Sequence, residues 1–318
     1  MSELNAELAR RAIVEHTRRL AESAAAAGPD AAVPTSPEWT VTELVEHVGQ
    51  TQHWVAEIVE RRITDPMKLP TEMAVLPGDP GQWRGWLSEA AERVAGAFSD
   101  DALDAPVFNA AGDGRTGARF WLASVLNETV VHGFDAANAA VAASAANAAV
   151  AGGVGGAAVA AGVGDAAVAA GVGDAAVGGG VGGAAVAGGV GSAAERVVDV
   201  DAEVAAALVS NHFAMLTSPT WEMLRSESAH AIRGSGQTLQ WLATDGGGAW
   251  FVERRPDGAT WRTGTGRADV TVSGSAGWLL LVLTRRLPLT GPGATGVSVD
   301  GDVDLAQHWL DNTAHVAD

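Results

Sequence analysis

The sequence predicts a helical N-terminal half and an α+β C-terminal half, joined by a low-complexity spacer. Three observations carry this expectation. Residues 2–141 contain stretches whose apolar side chains recur at helical spacing. Residues 142–195 are dominated by Ala, Gly and Val. Beyond Glu195, a helical stretch is followed by short β-branched and aromatic runs separated by glycine-rich turns. The expected divisions are residues 1–141, a four-helix bundle; residues 142–195, the spacer; and residues 196–318, an α+β domain.

The first helix is expected within residues 2–27, anchored by Leu4, Leu8, Ile13 and Leu20. A loop containing Pro34, Pro37 and Trp39 ends at Thr40, and Thr40 followed by Glu43 is a capping-box signature for the start of a second helix. That helix carries Leu44, His47, Val48, Thr51, Val55 and Ile58 on one side. Asp79-Pro80 opens a third, with proline at its first position and Trp83, Leu87, Ala90, Val94 and Phe98 as its stripe. The fourth is expected from about Thr116 to Val141. Four helices joined by modest loops form a bundle, and bundles place metal and ligand sites on facing inward positions.

In the spacer a nine-residue unit recurs, with copies starting at the Val-Gly pairs of Val154, Val163, Val172, Val181 and Val190. Nine residues advance a helix by two and a half turns and flip a strand, so neither element keeps the valines on one face. Calcium-binding nonapeptides need an Asp in each copy, and only Asp165 and Asp174 occur. Residues 142–164 are uncharged but lack Leu, Ile and Phe, so no membrane span is expected. The tract is expected to be disordered or weakly helical.

After the spacer, residues 201–216 are expected as a helix. Strand-like runs follow at 230–233, 238–243, 249–253, 260–263 and 268–273, with turns at Asp245-Gly-Gly-Gly and Pro256-Asp-Gly. A helix over 275–286, a strand over 296–300 and a helix over 302–313 close the chain. The expected layout is an antiparallel sheet with helices on one face.

The 318 residues carry a net charge of −18 and no Lys/Arg cluster longer than two. That excludes nucleic acid and anionic membranes as expected partners, since both reward basic patches. There is no cysteine, so disulfides, thiolate ligands and a cysteine nucleophile are excluded, and any thiol chemistry needs an external thiol. The N-terminus is acidic and lacks a signal-peptide pattern, and a cytoplasmic location is expected.

Three residues point to chemistry. Glu128 and His132 lie four apart on the fourth helix, in the stripe Trp121, Val125, Glu128, His132, and His47 lies on the stripe of the second. A carboxylate in a core needs compensation, and a divalent metal on two imidazoles and a carboxylate supplies it while leaving a coordination position open. Other readings stay open on the residues alone. His47 could be a hydrogen-bonded core histidine, and Glu128–His132 a helix-surface pair. A shared ion needs the three donor groups within about 8 Å of one another, given ligand bonds of about 2 Å.

Pro37-Glu-Trp39-Thr-Val-Thr-Glu-Leu-Val-Glu-His47 and Asn127-Glu128-Thr-Val-Val-His132-Gly-Phe-Asp135 resemble two segments of the mycothiol-dependent maleylpyruvate isomerase family. Ala243-Thr-Asp-Gly-Gly, Ala268-Asp-Val-Thr-Val-Ser-Gly, Leu279-Leu-Leu-Val-Leu-Thr-Arg285-Arg286 and Val299-Asp-Gly-Asp-Val-Asp-Leu resemble its second domain. Two departures stand out: the Ala/Gly/Val tract, and Ser36-Pro37-Glu38 where the family usually has Cys-Pro-Gly. The resemblance implies a DinB-like four-helix bundle followed by a sterol-carrier-like α+β domain. It implies a divalent metal, usually zinc, on His47, Glu128 and His132, with mycothiol as cofactor and a small electrophile as substrate. It implies a catalytic arginine in the second domain, for which Arg285 is the best match and Arg286 the next. The expected activity is a cis–trans isomerase or S-transferase in which a metal-bound thiolate attacks the electrophile. The alternatives are a metal enzyme using another thiol or water, and a non-catalytic small-molecule binding module.

Overall fold

The structure, a computed structural model, describes residues 4–151, 200–291 and 294–313. Asn5 caps the first helix, α1 (Ala6–Ala27), by accepting from the Leu8 N–H, and Ile13, Leu20 and Ala24 line its buried face. A short hairpin of β1 (Ala32–Val33) and β2 (Ser36–Thr40) then turns the chain into α2 (Val41–Glu60). Both arms of the expected capping box are made: the Thr40 hydroxyl accepts from the Glu43 N–H, and the Glu43 carboxylate accepts from the Thr40 N–H at 2.6 Å. Asp79-Pro80 opens a single 3-10 turn over Pro80–Gln82, and α3 (Trp83–Ala97) starts one turn later than the proline suggests. A short α4 (Asp100–Leu103) precedes the long α5 (Gly117–Ala151).

Helix α1 packs on α3 and α5, and α2 packs on the same two, which makes the expected four-helix bundle. Gly117 shows how closely α5 is docked. A Cβ there would lie 2.0 Å from the Val107 carbonyl oxygen, so only glycine fits. At mid-bundle the buried Gln52 joins three helices, its amide donating to the Thr17 hydroxyl at 2.8 Å and the Thr129 hydroxyl at 3.1 Å. α5 runs ten residues past Val141 into the alanine-rich tract, where a stretch dominated by alanine and free of glycine favours helix. The nonapeptide copies from Val154 onward, and the membrane-span question over them, lie outside the described residues. Among the described residues no helix is long and apolar enough to cross a membrane.

The C-terminal part begins with α6 (Ala202–Leu216), capped by Asp201, then α7 (Pro219–Leu224) and α8 (Ser226–Ala231). The expected strand over 230–233 is instead the end of α8 and its turn. The Arg254 guanidinium donates to the carbonyls of Ala231, Ile232 and Arg233, oxygens a strand would have given to a sheet partner. The sheet holds β3 (Thr238–Ala243), β4 (Ala249–Arg255), β5 (Gly258–Thr263), β6 (Val270–Gly274) and β7 (Val297–Gly301) in the order β5-β4-β3-β6-β7. It is not wholly antiparallel: β3 and β6 pair in parallel, Leu239 opposite Val270 and Trp241 opposite Val272. The chain leaves β5 and returns to the far side of β3. The buried Gln240 pins that crossing segment by accepting the Gly266 N–H at 2.9 Å. Helices α9 (Ala276–Leu283) and α10 (Val303–Asp311) complete the α+β layer. One apolar cluster runs from Ile13, Ile58 and Phe98 of the bundle through Leu126 and Phe213 to Trp241, Trp250 and Trp309 of the sheet layer.

Candidate metal centre

His47 sits two turns into α2, and Glu128 and His132 occupy adjacent rungs of α5, so packing α2 on α5 brings the three side chains together. Both imidazole Nε2 atoms lie 3.2 Å from the same carboxylate oxygen, Glu128 Oε2. One ligand atom from each residue falls within 4.8 Å of the other two. The spacing pattern placed Glu128 on a buried face; in the fold only His132 is buried. Glu128 and His47 keep 39% and 38% of their side chains exposed, so the cluster opens to the surface at one side. Trp39, brought in by β2, roofs it. Its indole stacks on His132 with centroids 5.7 Å apart and tilts against His47 at 5.1 Å. The sequence placed Trp39 only in the loop that ends at Thr40. Its contact with both imidazoles follows from the hairpin, which the apolar pattern did not reveal.

Behind His132 lies a second layer. Its Nδ1 is 2.8 Å from Oδ2 of Asp135, a fully buried carboxylate. Asp135 also accepts the Thr35 hydroxyl at 2.6 Å and two nitrogens of Arg286, Nε at 3.1 Å and a terminal nitrogen at 2.9 Å. The charges reinforce one another. Burial alone pushes the Asp135 carboxyl up, but His132 and Arg286 outweigh it and bring the pKa down to about 2. Burial lowers the proton affinity of His132, yet its bonds to Asp135 and Glu128 win and raise the pKa to about 9. Burial also opposes ionisation of Glu128, and the two imidazoles hold it well below the usual carboxylate range.

The donor set fits a divalent cation. With the Nδ1 proton of His132 directed to Asp135, a neutral ring turns its Nε2 lone pair onto a carboxylate oxygen, two acceptors face to face. A cation between them removes the conflict: a proton in the bare chain, or a metal. Ligand bonds of about 2.0–2.1 Å around a tetrahedral ion set neighbouring donors about 3.4 Å apart, and the 3.2 Å separations match that edge. A carboxylate behind a ligating histidine is the usual means of fixing its tautomer and raising its basicity.

The two arginines of the C-terminal part differ. α9 ends in a Schellman turn, with the Arg286 N–H on the Leu281 carbonyl and the Arg285 N–H on that of Val282. Arg285 occupies the left-handed position of this turn, φ 60°, and is exposed. The turn throws Arg286 across to the bundle, where its side chain is 10% exposed and grips Asp135. Asp135 follows His132 by three residues, but nothing in the spacing revealed Arg286 as a partner 151 residues away.

Residues 10–137 match the family model of the mycothiol maleylpyruvate isomerase N-terminal domain. Among solved structures, the mycothiol-dependent maleylpyruvate isomerase is similar over 94% of this chain and 95% of its own, at 14% identity and a TM-score of 0.44. A UbiJ-SCP2 ubiquinone synthesis protein is similar over 33% of this chain and 82% of its own, at 18% identity and a TM-score of 0.25. A sec-alkylsulfatase from Pseudomonas sp. is similar over 87% of this chain and 44% of its own, at 16% identity and a TM-score of 0.29. No curated protein matches. The family-model match over residues 10–137 takes in the helical bundle that carries His47, Glu128 and His132.

Proposed function

We propose that this protein is a metal- and mycothiol-dependent isomerase or S-transferase acting on a small electrophile, with His47, Glu128 and His132 as metal ligands. The observation that carries this reading is the pair of imidazole nitrogens converging on one carboxylate oxygen, one of them backed by a buried aspartate. When bound, a divalent metal, usually zinc in such sites, supplies the positive charge that keeps a coordinating thiol deprotonated near neutral pH. The chain has no cysteine, so that thiol comes from outside, and the likeness of residues 10–137 to the mycothiol maleylpyruvate isomerase N-terminal domain favours mycothiol.

The protein's own residues set the stage for addition to an activated cis double bond. His132, fixed by Asp135, keeps its Nε2 aimed at the cluster, and Trp39 shields the imidazole faces from water. The half-exposed side of His47 and Glu128 is the approach for substrate. Arg285 is proposed to pair with a substrate carboxylate and to steady the enolate that forms as a C–S bond is made and the π pair moves onto the neighbouring carbonyl. Rotation about the resulting single bond, return of the pair and loss of the thiolate give the trans isomer with all atoms conserved. Where elimination is blocked, the enolate takes up a proton equivalent to the one the thiol released, and the addition ends as S-transfer. Residues 1–141, 142–195 and 196–318 are proposed as bundle, spacer and α+β domain.

The test is metal analysis of purified protein together with isomerisation of maleylpyruvate with and without mycothiol. Stoichiometric divalent metal and strictly thiol-dependent turnover are expected, both lost in His132→Ala. Full activity after chelation, or turnover without thiol, overturns the proposal. Protein that never takes up metal favours a binding module.

A further inference from the structure

We propose that Arg286 is a positioning residue through which docking of the C-terminal layer sets the metal affinity of the bundle. This rests on the metal reading above and goes beyond it, because the three ligands all come from the bundle and Arg286 does not.

The connection is short and closed. Arg286 holds both oxygens of Asp135, at 3.1 and 2.9 Å, and Asp135 holds His132 Nδ1 at 2.8 Å. Asp135 is fully buried, and Arg286 nearly so, so neither has water as an alternative partner. A buried carboxylate with a bidentate guanidinium is fixed in plane as well as in position. Thr35 on the bundle side gives Asp135 only one further bond, at 2.6 Å, to an oxygen that Arg286 also holds. The plane of the carboxylate, and with it the direction of the imidazole, is therefore set from the C-terminal layer. Arg286 is itself held in that layer by the Schellman turn after α9 and by donating to the Thr284 carbonyl at 3.0 Å. Its reach depends on where α9 sits. Coupling of this kind is reciprocal: whatever the docked layer adds to metal affinity, bound metal adds to docking.

The experiment titrates Co²⁺ and Zn²⁺ into full-length wild type, Arg286→Ala and Arg286→Lys, reading affinity by chelator competition and ligand geometry from the Co²⁺ visible spectrum. Loss of a partner behind a ligating histidine weakens metal binding by about 10–100-fold. Arg286→Ala is expected to fall in that range with an altered Co²⁺ spectrum. Arg286→Lys keeps the charge but not the fork, and is expected to recover part of the affinity. Should Arg286→Ala fail to fold, the lysine variant decides alone: wild-type affinity and an unchanged spectrum overturn the inference. If wild type itself binds neither ion, the metal reading fails; if all three proteins bind equally, only the role of Arg286 fails.

Discussion

His53 illustrates how a single side chain on the wall of the bundle ties stability to pH. Its ring lies 5.6 Å from that of Trp86, its Nδ1 is 3.5 Å from Arg93, and its Nε2 is buried without a hydrogen-bond partner among the described residues. Burial, then the Arg93 charge, lowers its pKa below 6.5, while Glu89 and Glu60 pull the other way. The unfolded chain takes up this proton near pH 6.5 and the folded chain resists until the pH is lower, so stability falls as pH drops through that value. Urea melts between about pH 7.5 and pH 5.5 are expected to show a steeper loss for wild type than for His53→Gln. Equal slopes would remove His53 from the account. That His47, Glu128 and His132 meet was legible because helical spacing stacks Glu128 on His132 and puts His47 on an inward stripe. Trp39 and Arg286 were not, since each reaches the cluster through a turn whose geometry leaves no periodic trace.

Helix α2 carries His47 and starts at the Thr40–Glu43 box, so the cap also fixes where that imidazole sits. Thr40→Ala is expected to cost about 1 kcal/mol, in a range of about 0.5–2, read as a shift in the urea midpoint at constant m-value. A change below about 0.3 kcal/mol would show that the hairpin, not the cap, starts the helix. Local chemistry of this sort was readable: Thr40 signals a helix start where one forms, and Asp79-Pro80 signals one a turn later. Pairing between distant strands was not. β6 alternates cleanly and β3 carries Leu239 and Trp241 two apart, but such a pattern carries no direction, and their parallel register depends on the crossing segment held by Gln240. The run 230–233 misled for a related reason. Its β-like composition is overruled by Arg254, which arrives from a strand some twenty residues later.

The apolar cluster that joins the bundle to the sheet layer has a consequence for unfolding. Phe213 of α6 lies 6.3 Å from Trp241 and 6.4 Å from Trp309 by ring centroids, and the same continuous core reaches Leu126 of α5. Domains sharing a large apolar interface unfold together. Calorimetry is expected to give one transition, displaced upward by added Zn²⁺ as a whole. Two transitions, with only the first responding to metal, would show that the halves melt independently. The two-part architecture could be read from the switch of apolar period on either side of the Ala/Gly/Val tract; the shared core could not, because either half carries enough apolar residues to suggest a core of its own.

Gln52 bears on whether neighbouring rods can slip. It lies one and a half turns beyond His47, and its acceptor Thr129 immediately follows Glu128. Sliding α2 along α5 by one rung would strand this amide in hydrocarbon and carry His47 past its carboxylate at the same moment. The tether thus acts as a vernier, permitting one longitudinal setting of the two helices, and that setting is the one in which the imidazoles meet.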